Sequence, residues 1–210
     1  MNKLAHIAIL AGGNSRRMGQ NKAQLLFEGE TLLSRLVQDA RQLGLATFVC
    51  ADDYTYSEIA THHITLSPDL LLNKSGALSA IQPVLEQSYL ANHQWLWVYS
   101  CDALLLPSEI IDLFQQAIDE IDANQDTQTK TILLKNHKLL PLVGLYHTSL
   151  AKDLKDYLLA GNRRVMPFCD QFKMKEIELP DSVSLCCNFN TPEQFENAKQ
   201  QYTQYRKNIG

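Results

Sequence analysis

With 210 residues, the chain is long enough for one sizeable core and somewhat long for a typical domain, so a single domain over 1–210 is expected rather than two. Apolar residues make up 45% and charged residues 20%, an ordinary globular balance, and the formal net charge of −4 argues against a general nucleic-acid binder, which would carry a basic stripe. Any phosphate ligand has to be held by local charge.

The apolar run over 3–10 opens the chain. It is too short for a secretory signal, and it leads into Gly12-Gly13 and Arg16-Arg17 where a signal would place its cleavage site, so it reads as a buried parallel strand. No apolar stretch approaches membrane-spanning length, and no membrane association is expected. Residues 31–43 place Leu32, Leu33, Leu36, Ala40 and Leu43 at a helical period, and Gly44 ends that helix. Strands follow at 46–51 and 64–66 with a helix over 54–61 between them, and this β-α-β-α-β opening implies a parallel sheet with right-handed crossovers.

A helix is predicted over 77–90 despite Pro83, then a dense apolar strand over 94–100. Cys101-Asp102 stands just past the carboxyl end of that strand, the edge at which open α/β sheets bind ligands. Pro107 opens a helix to about residue 121, and the polar stretch 122–129 is a linker or surface loop. Residues 130–134 and 140–146 form an antiparallel hairpin around Asn136-His137-Lys138 that extends the sheet. A helix over 149–160 is stopped by Gly161; a helical stretch over 161–171, a strand over 173–179 and a last helix capped by Thr191 with Pro192 at its first position complete the chain.

Five cysteines, Cys50, Cys101, Cys169, Cys186 and Cys187, form no Cys-x-x-Cys pair, so free thiols in a reducing cytoplasm are expected. The adjacent Cys186 and Cys187 read as strand residues on opposite faces. The six histidines show no ligand spacing with a carboxylate.

The stretch with chemistry is Leu10-Ala11-Gly12-Gly13-Asn14-Ser15-Arg16-Arg17-Met18-Gly19-Gln20-Asn21-Lys22-Ala23. Paired glycines let backbone N–H groups approach an anion, Arg16 and Arg17 add fixed charge, and Lys22 supplies a mobile ammonium. There is no Gly-Lys-Ser/Thr ending as in a P-loop and no third glycine as in the dinucleotide fingerprint. Asp102 is the leading candidate for a Mg²⁺ ligand, because Mg²⁺ takes one or two carboxylates and completes its shell with substrate phosphates and water.

Leu-Ala-Gly-Gly, then Ser, Arg-Met-Gly and Lys-Ala, resembles the signature of nucleotidyltransferases, and among them that of the molybdenum cofactor guanylyltransferases. The resemblance implies a Rossmann-like three-layer α/β sandwich, nucleotide-diphospho-sugar transferase-like, with a mostly parallel sheet and an antiparallel extension. It also implies transfer of GMP from GTP to a molybdopterin-type cofactor with release of pyrophosphate. In that scheme Leu10, Ala11, Gly12, Gly13, Arg17 and Lys22 meet the nucleotide, Asp102 holds Mg²⁺, and Asp69, standing seven residues before Gly76, contacts the guanine nucleotide. Ala77 and Ala80 replace the proline and glycine of the family turn after Gly76, Cys50 falls where the family commonly has Asn, and Ala103-Leu104 replaces a Met-Pro-like pair.

The second half carries further likenesses: Leu140-Pro141-Leu142-Val143-Gly144-Leu145-Tyr146, Gly161-Asn162-Arg163-Arg164-Val165 and Asn188-Phe189-Asn190-Thr191-Pro192-Glu193. The resemblance turns these toward the pterin, with Arg163 and Arg164 suited to its phosphate and Asn188 and Asn190 to the acceptor. Molybdoenzymes or other cofactor-biosynthesis proteins are the implied partners. The alternatives are the same chemistry with cytidine or a sugar phosphate, or a non-catalytic paralogue that binds nucleotide or cofactor.

Overall fold

The computed structural model describes residues 3–12, 21–51, 56, 65–66 and 76–209. Nine strands are present among them: β1 (Leu4–Leu10), β2 (Leu26–Phe27), β3 (Glu30–Thr31), β4 (Ala46–Cys50), β5 (Thr65–Leu66), β6 (Trp95–Ser100), β7 (Thr129–Lys135), β8 (Leu139–His147) and β9 (Lys173–Glu178). Seven of them form one sheet in the order β5-β4-β1-β6-β8-β7-β9, while β2 and β3 make a separate hairpin. Pairing is parallel from β5 through β6 and again between β7 and β9; β8 alone runs the other way.

The helices are α1 (Leu32–Gln42), α2 (Ala77–Leu90), α3 (Pro107–Ala123), α4 (Ala151–Leu159), α5 (Val165–Cys169) and α6 (Pro192–Ile209). Apolar side chains of α1, α3 and α6 pack on one face of the sheet and those of α2, α4 and α5 on the other, giving three layers. The central strands explain themselves. In β6, Trp95, Trp97 and Tyr99 face the first layer and Leu96 and Val98 the second, so a strand buried on both faces needs an unbroken apolar run.

Most predicted elements fall within a residue or two of their observed limits. Thr31 Oγ1 accepts from Ser34 N–H at 3.1 Å to start α1, and Gly44 leaves that helix at φ +75°. Helix α2 runs through Pro83 because Leu78, Ile81, Val84 and Leu85 are buried, so packing offsets the bond the ring removes. The hairpin of β7 and β8 extends the sheet as expected, and β9 adds a parallel strand beyond it. Two expectations need correction. The stretch 161–171 is helical only over Val165–Cys169, and Cys186 and Cys187 are not strand neighbours. They sit in the turn after a short 3-10 segment, Asp181–Val183, where Cys187 makes one isolated bridge to Ala103. Both thiols, like the other three, are free and buried. The helix predicted over 54–61 lies outside the described residues except for Tyr56.

Gly144 is required by sheet packing: a Cβ there would lie 2.6 Å from the Ile132 carbonyl oxygen and 2.6 Å from Leu133 Cδ2. Gly144→Ala is expected to destabilise the fold by about 1–3 kcal/mol in urea unfolding. A second expectation concerns pH. His6 is buried against Phe48 and His93 with Nδ1 2.8 Å from Ser88 Oγ; burial, with His93 adding to it, lowers its pKa to about 4. The unfolded chain therefore binds the extra proton between about pH 6.5 and 4, so this contribution is whole above that window and lost as pH falls through it. His6→Leu is expected to flatten the fall of the thermal midpoint between pH 7.5 and 5.

Candidate functional site

Parallel pairing brings the carboxyl ends of β4, β1 and β6 side by side. The ladder continues one step beyond them. Ala11 and Gly12 N–H groups both donate to the Cys50 carbonyl, at 2.9 and 3.2 Å, and Cys101 N–H donates to the Leu10 carbonyl at 3.1 Å. The Leu10 side chain is buried in the core, so what it presents at this edge is backbone. The Cys50 side chain is likewise buried, and its contribution is the carbonyl that anchors the start of the glycine stretch. Because the N–H groups of Ala11 and Gly12 are engaged there, this part of the loop serves as an anchor.

Lys22 begins a 3-10 turn, Lys22–Gln24, whose first N–H groups are organised by Asn21: its Oδ1 accepts from Ala23 N–H at 3.0 Å. The turn aims the Lys22 ammonium at two oxygens from distant parts of the chain. Nζ lies 3.0 Å from Asp102 Oδ2 and 3.0 Å from Asn190 Oδ1. The Lys22 and Asp102 side chains are 17% and 16% exposed, so the pair is shielded yet open to a ligand.

Asn190 reaches this place because residues 186–190 return to lie along 102–104. Leu104 N–H donates to the Cys186 carbonyl at 2.7 Å, Asn188 N–H donates to the Asp102 carbonyl at 2.6 Å, and Cys187 bridges Ala103. Asn188 adopts φ +64°, a conformation that Asn tolerates better than most residues. Its carbonyl and Oδ1 accept from Asn190 Nδ2 at 3.1 and 3.3 Å, which orients the Asn190 amide with its oxygen toward Lys22. Thr191 Oγ1 then accepts from Gln194 N–H at 3.2 Å and starts α6.

Below the cluster, the helices that follow these three residues are tied to one another. Glu109 Oε2 accepts from Leu106 N–H at 2.7 Å and from the Tyr202 hydroxyl at 2.9 Å. Arg35 donates to the same hydroxyl at 3.5 Å and stacks on Phe27 at 4.7 Å from the ring centre. Asp39 caps α3 by accepting from Ser108 N–H at 2.7 Å and Ser108 Oγ at 2.6 Å. Burial raises the Glu109 carboxyl above its usual range, against the lowering effect of the Leu106 N–H and Tyr202 bonds. Arg35 and Asp39 interrupt the apolar stripe of α1, which is the signal in the sequence that they are partnered.

The other expected site residues are more scattered. Gly13, Arg17 and Asp69 lie outside the described residues. Gly76 is exposed at the start of α2 with φ +87°, and its carbonyl accepts from Ser79 Oγ at 2.8 Å. Arg163 and Arg164 are exposed on the connection between α4 and α5. Arg163 Nη1 donates to the Leu158 and Asn162 carbonyls at 2.7 and 2.6 Å and so closes the end of α4, and the Arg164 carbonyl accepts from the Tyr157 hydroxyl at 3.0 Å. No hydrogen bond or ion pair joins either arginine to the Lys22 cluster among the described residues. Among those residues no three His, Cys, Asp or Glu side chains gather into a metal-holding group. Tyr56, which no periodicity or motif singles out, donates to the Ala11 carbonyl at 2.6 Å and accepts from Asn21 Nδ2 at 2.9 Å.

The three-layer α/β fold, nucleotide-diphospho-sugar transferase-like, places a lysine and a carboxylate facing each other at its carboxyl edge, and the family match makes the class nucleotidyltransferase. Residues 7–174 match the MobA-like NTP transferase domain, and the chain belongs to that family. It is 27% identical over 198 residues to a protein of Carboxydothermus hydrogenoformans named probable molybdenum cofactor guanylyltransferase, covering 90% of this chain and 92% of that one. It is 31% identical over 177 residues to the molybdenum cofactor guanylyltransferase of Rhizobium rhizogenes, covering 82% and 77%. In fold it is similar to the crystal structure of molybdopterin-guanine dinucleotide biosynthesis protein A from Archaeoglobus fulgidus, with a TM-score of 0.70 at 17% identity over 95% of this chain and 99% of that one.

The backbone at Asn188 carries an expectation that is independent of ligand. Asn188→Ala places a Cβ-bearing residue without a local polar side chain at φ +64° and is expected to cost about 1–2 kcal/mol in thermal unfolding, while Asn188→Gly costs less than half of that.

Proposed function

We propose that this chain transfers GMP from GTP to the terminal phosphate of a molybdopterin-type cofactor. An oxygen of that phosphate attacks the α-phosphorus of GTP, the bond from the α-phosphorus to the bridging oxygen breaks, and pyrophosphate leaves. The observation that carries this reading is the meeting of Lys22, Asp102 and Asn190 at the carboxyl edge, three residues from three separate motifs held within hydrogen-bond distance. The names of the relatives support guanine as the base and the molybdenum cofactor as the acceptor.

Phosphoryl chemistry of this kind needs positioning and charge more than covalent help. In the proposal Ala11 and Gly12 anchor the loop, Gly13, Arg17 and Lys22 meet the triphosphate, and Asp69 and Gly76 flank the nucleotide. Asp102 would hold Mg²⁺. The donor set suits it: Asp102 Oδ2 and Asn190 Oδ1 already converge on one cationic group, and a hard cation accepts a single carboxylate when phosphates complete its shell. When bound, the metal supplies charge neutralisation on the phosphates. Arg163 and Arg164 take the acceptor phosphate, and Asn188 and Asn190 orient the pterin. The proposal treats 1–210 as one domain, with its first half on the nucleotide side and its second half on the acceptor side. Five buried free thiols support placing it in a reducing cytoplasm, where molybdoenzymes or other cofactor-biosynthesis proteins would receive its product.

The test is pyrophosphate release from each of the four nucleoside triphosphates with Mg²⁺ and molybdenum cofactor. GTP is expected to exceed the others by about tenfold or more, and Asp102→Asn to lower the GTP rate by about 10²-fold. Faster release from CTP overturns the base, and no release under conditions where an established guanylyltransferase works overturns the transfer.

A further inference from the structure

The glycine-containing stretch leaves the sheet at Ala11-Gly12 and rejoins described structure at Asn21-Lys22, and these two feet meet at one oxygen atom. The Tyr56 hydroxyl donates to the Ala11 carbonyl at 2.6 Å and accepts from Asn21 Nδ2 at 2.9 Å, so Asn21, Tyr56 and Ala11 form a directed chain of hydrogen bonds. Each foot is also fixed from its own side. Ala11 and Gly12 are bonded to Cys50, and Asn21 caps the turn that carries Lys22. The Tyr56 ring is 2% exposed and packs in the core beneath the first helical layer, so the hydroxyl is held by a rigid group and acts in a low-dielectric setting.

A triphosphate presents charged oxygens at fixed spacings, and donors on the two sides of a loop can meet them together only if the feet are held at a fixed separation. From this geometry we infer that Tyr56 is a positioning residue for triphosphate binding: its hydroxyl sets the distance between the Ala11-Gly12 anchor and the Lys22 ammonium. The inference rests on the reading that this edge binds a nucleoside triphosphate; it does not depend on which base or acceptor is used. Tyr56 touches no reacting atom in it and acts through Ala11 and Asn21.

The test uses the full chain and inorganic tripolyphosphate as probe, with affinity measured by calorimetry below the unfolding transition. Tyr56→Phe keeps the ring and removes only the hydroxyl; it is expected to weaken tripolyphosphate binding by about fivefold to tenfold, and to raise KM for GTP by the same factor with kcat at saturation changed less than about twofold. Asn21→Ser keeps a capping oxygen but not the reach to Tyr56, and is expected to give a loss of similar size. Because both remove one bridge, the double variant is expected to be no weaker than either alone. If Tyr56→Phe does not fold, Asn21→Ser decides. Unchanged affinity in a folded variant, losses that multiply in the double variant, or a wild-type chain that binds no tripolyphosphate overturns the inference. Weakened tripolyphosphate binding in a chain that releases no pyrophosphate from any nucleotide supports the inference and sinks the transfer reading instead.

Discussion

Everything at the candidate site follows from the parallel pairing of β1 with β4 on one side and β6 on the other. Parallel strands end at the same edge, so the residues after Leu10, Cys50 and Ser100 must emerge together. The helices α1 and α3 that follow then return on a face of the sheet. An antiparallel arrangement of the same strands would have sent Asp102 and the glycine stretch to opposite ends. The burial of Trp95, Trp97, Leu96 and Val98 on both faces of β6 fixes the pairing, since a slip of one residue would exchange the whole set between the two helical layers.

On this frame sits an ion pair that is poorly explained by stability. At 3.0 Å, Lys22 and Asp102 attract with about 5 kcal/mol at an effective dielectric of about 20, and shielding both charges costs several kcal/mol per ion. The two effects nearly cancel. What the pair gains is order: the ammonium is held between Asp102 and Asn190 by a capped turn, and the Asn190 amide is oriented by Asn188 before any ligand arrives. A charged site kept largely shielded, with its side chains already directed, has the preorganisation that phosphoryl chemistry requires.

What the sequence discloses and what it hides divide along physical lines. Strands β1 and β6 are legible because double burial demands continuous apolar residues, and the helix ends at Gly44 and Gly161 are legible because positive φ selects glycine. Asp102 is legible as a residue of the carboxyl edge because it stands just past the end of a central strand. The turn at Cys186 and Cys187 is hidden, since two apolar thiols in a row satisfy burial equally in a strand or in a packed turn. The ties among Arg35, Glu109 and Tyr202 are hidden for a different reason. They join residues up to 167 positions apart, and no local period encodes such a partnership, although polar residues within the α1 stripe betray that one exists. Tyr56 is the extreme case, a tyrosine whose role lies in one oxygen atom and the two backbone segments it happens to join.

The proposed nucleotide-side and acceptor-side halves are divided in sequence and not in space. β8, β7 and β9, from the second half, continue the sheet beside β6, and the segment 186–190 is bonded to 102–104 through backbone groups. The backbone at Cys186 and Asn188 is thus held against 102–104 by main-chain hydrogen bonds at 2.7 and 2.6 Å, and Asn190 follows two residues later. Lys22 is tied differently: its backbone is held in the turn that Asn21 caps, and its ammonium by side-chain contacts to Asp102 and Asn190. The cluster thus joins two side-chain oxygens, carried on segments that backbone hydrogen bonds tie together, to one cation. In the proposed reaction the triphosphate therefore meets an ammonium already placed by these two oxygens, on a frame that backbone hydrogen bonds keep together.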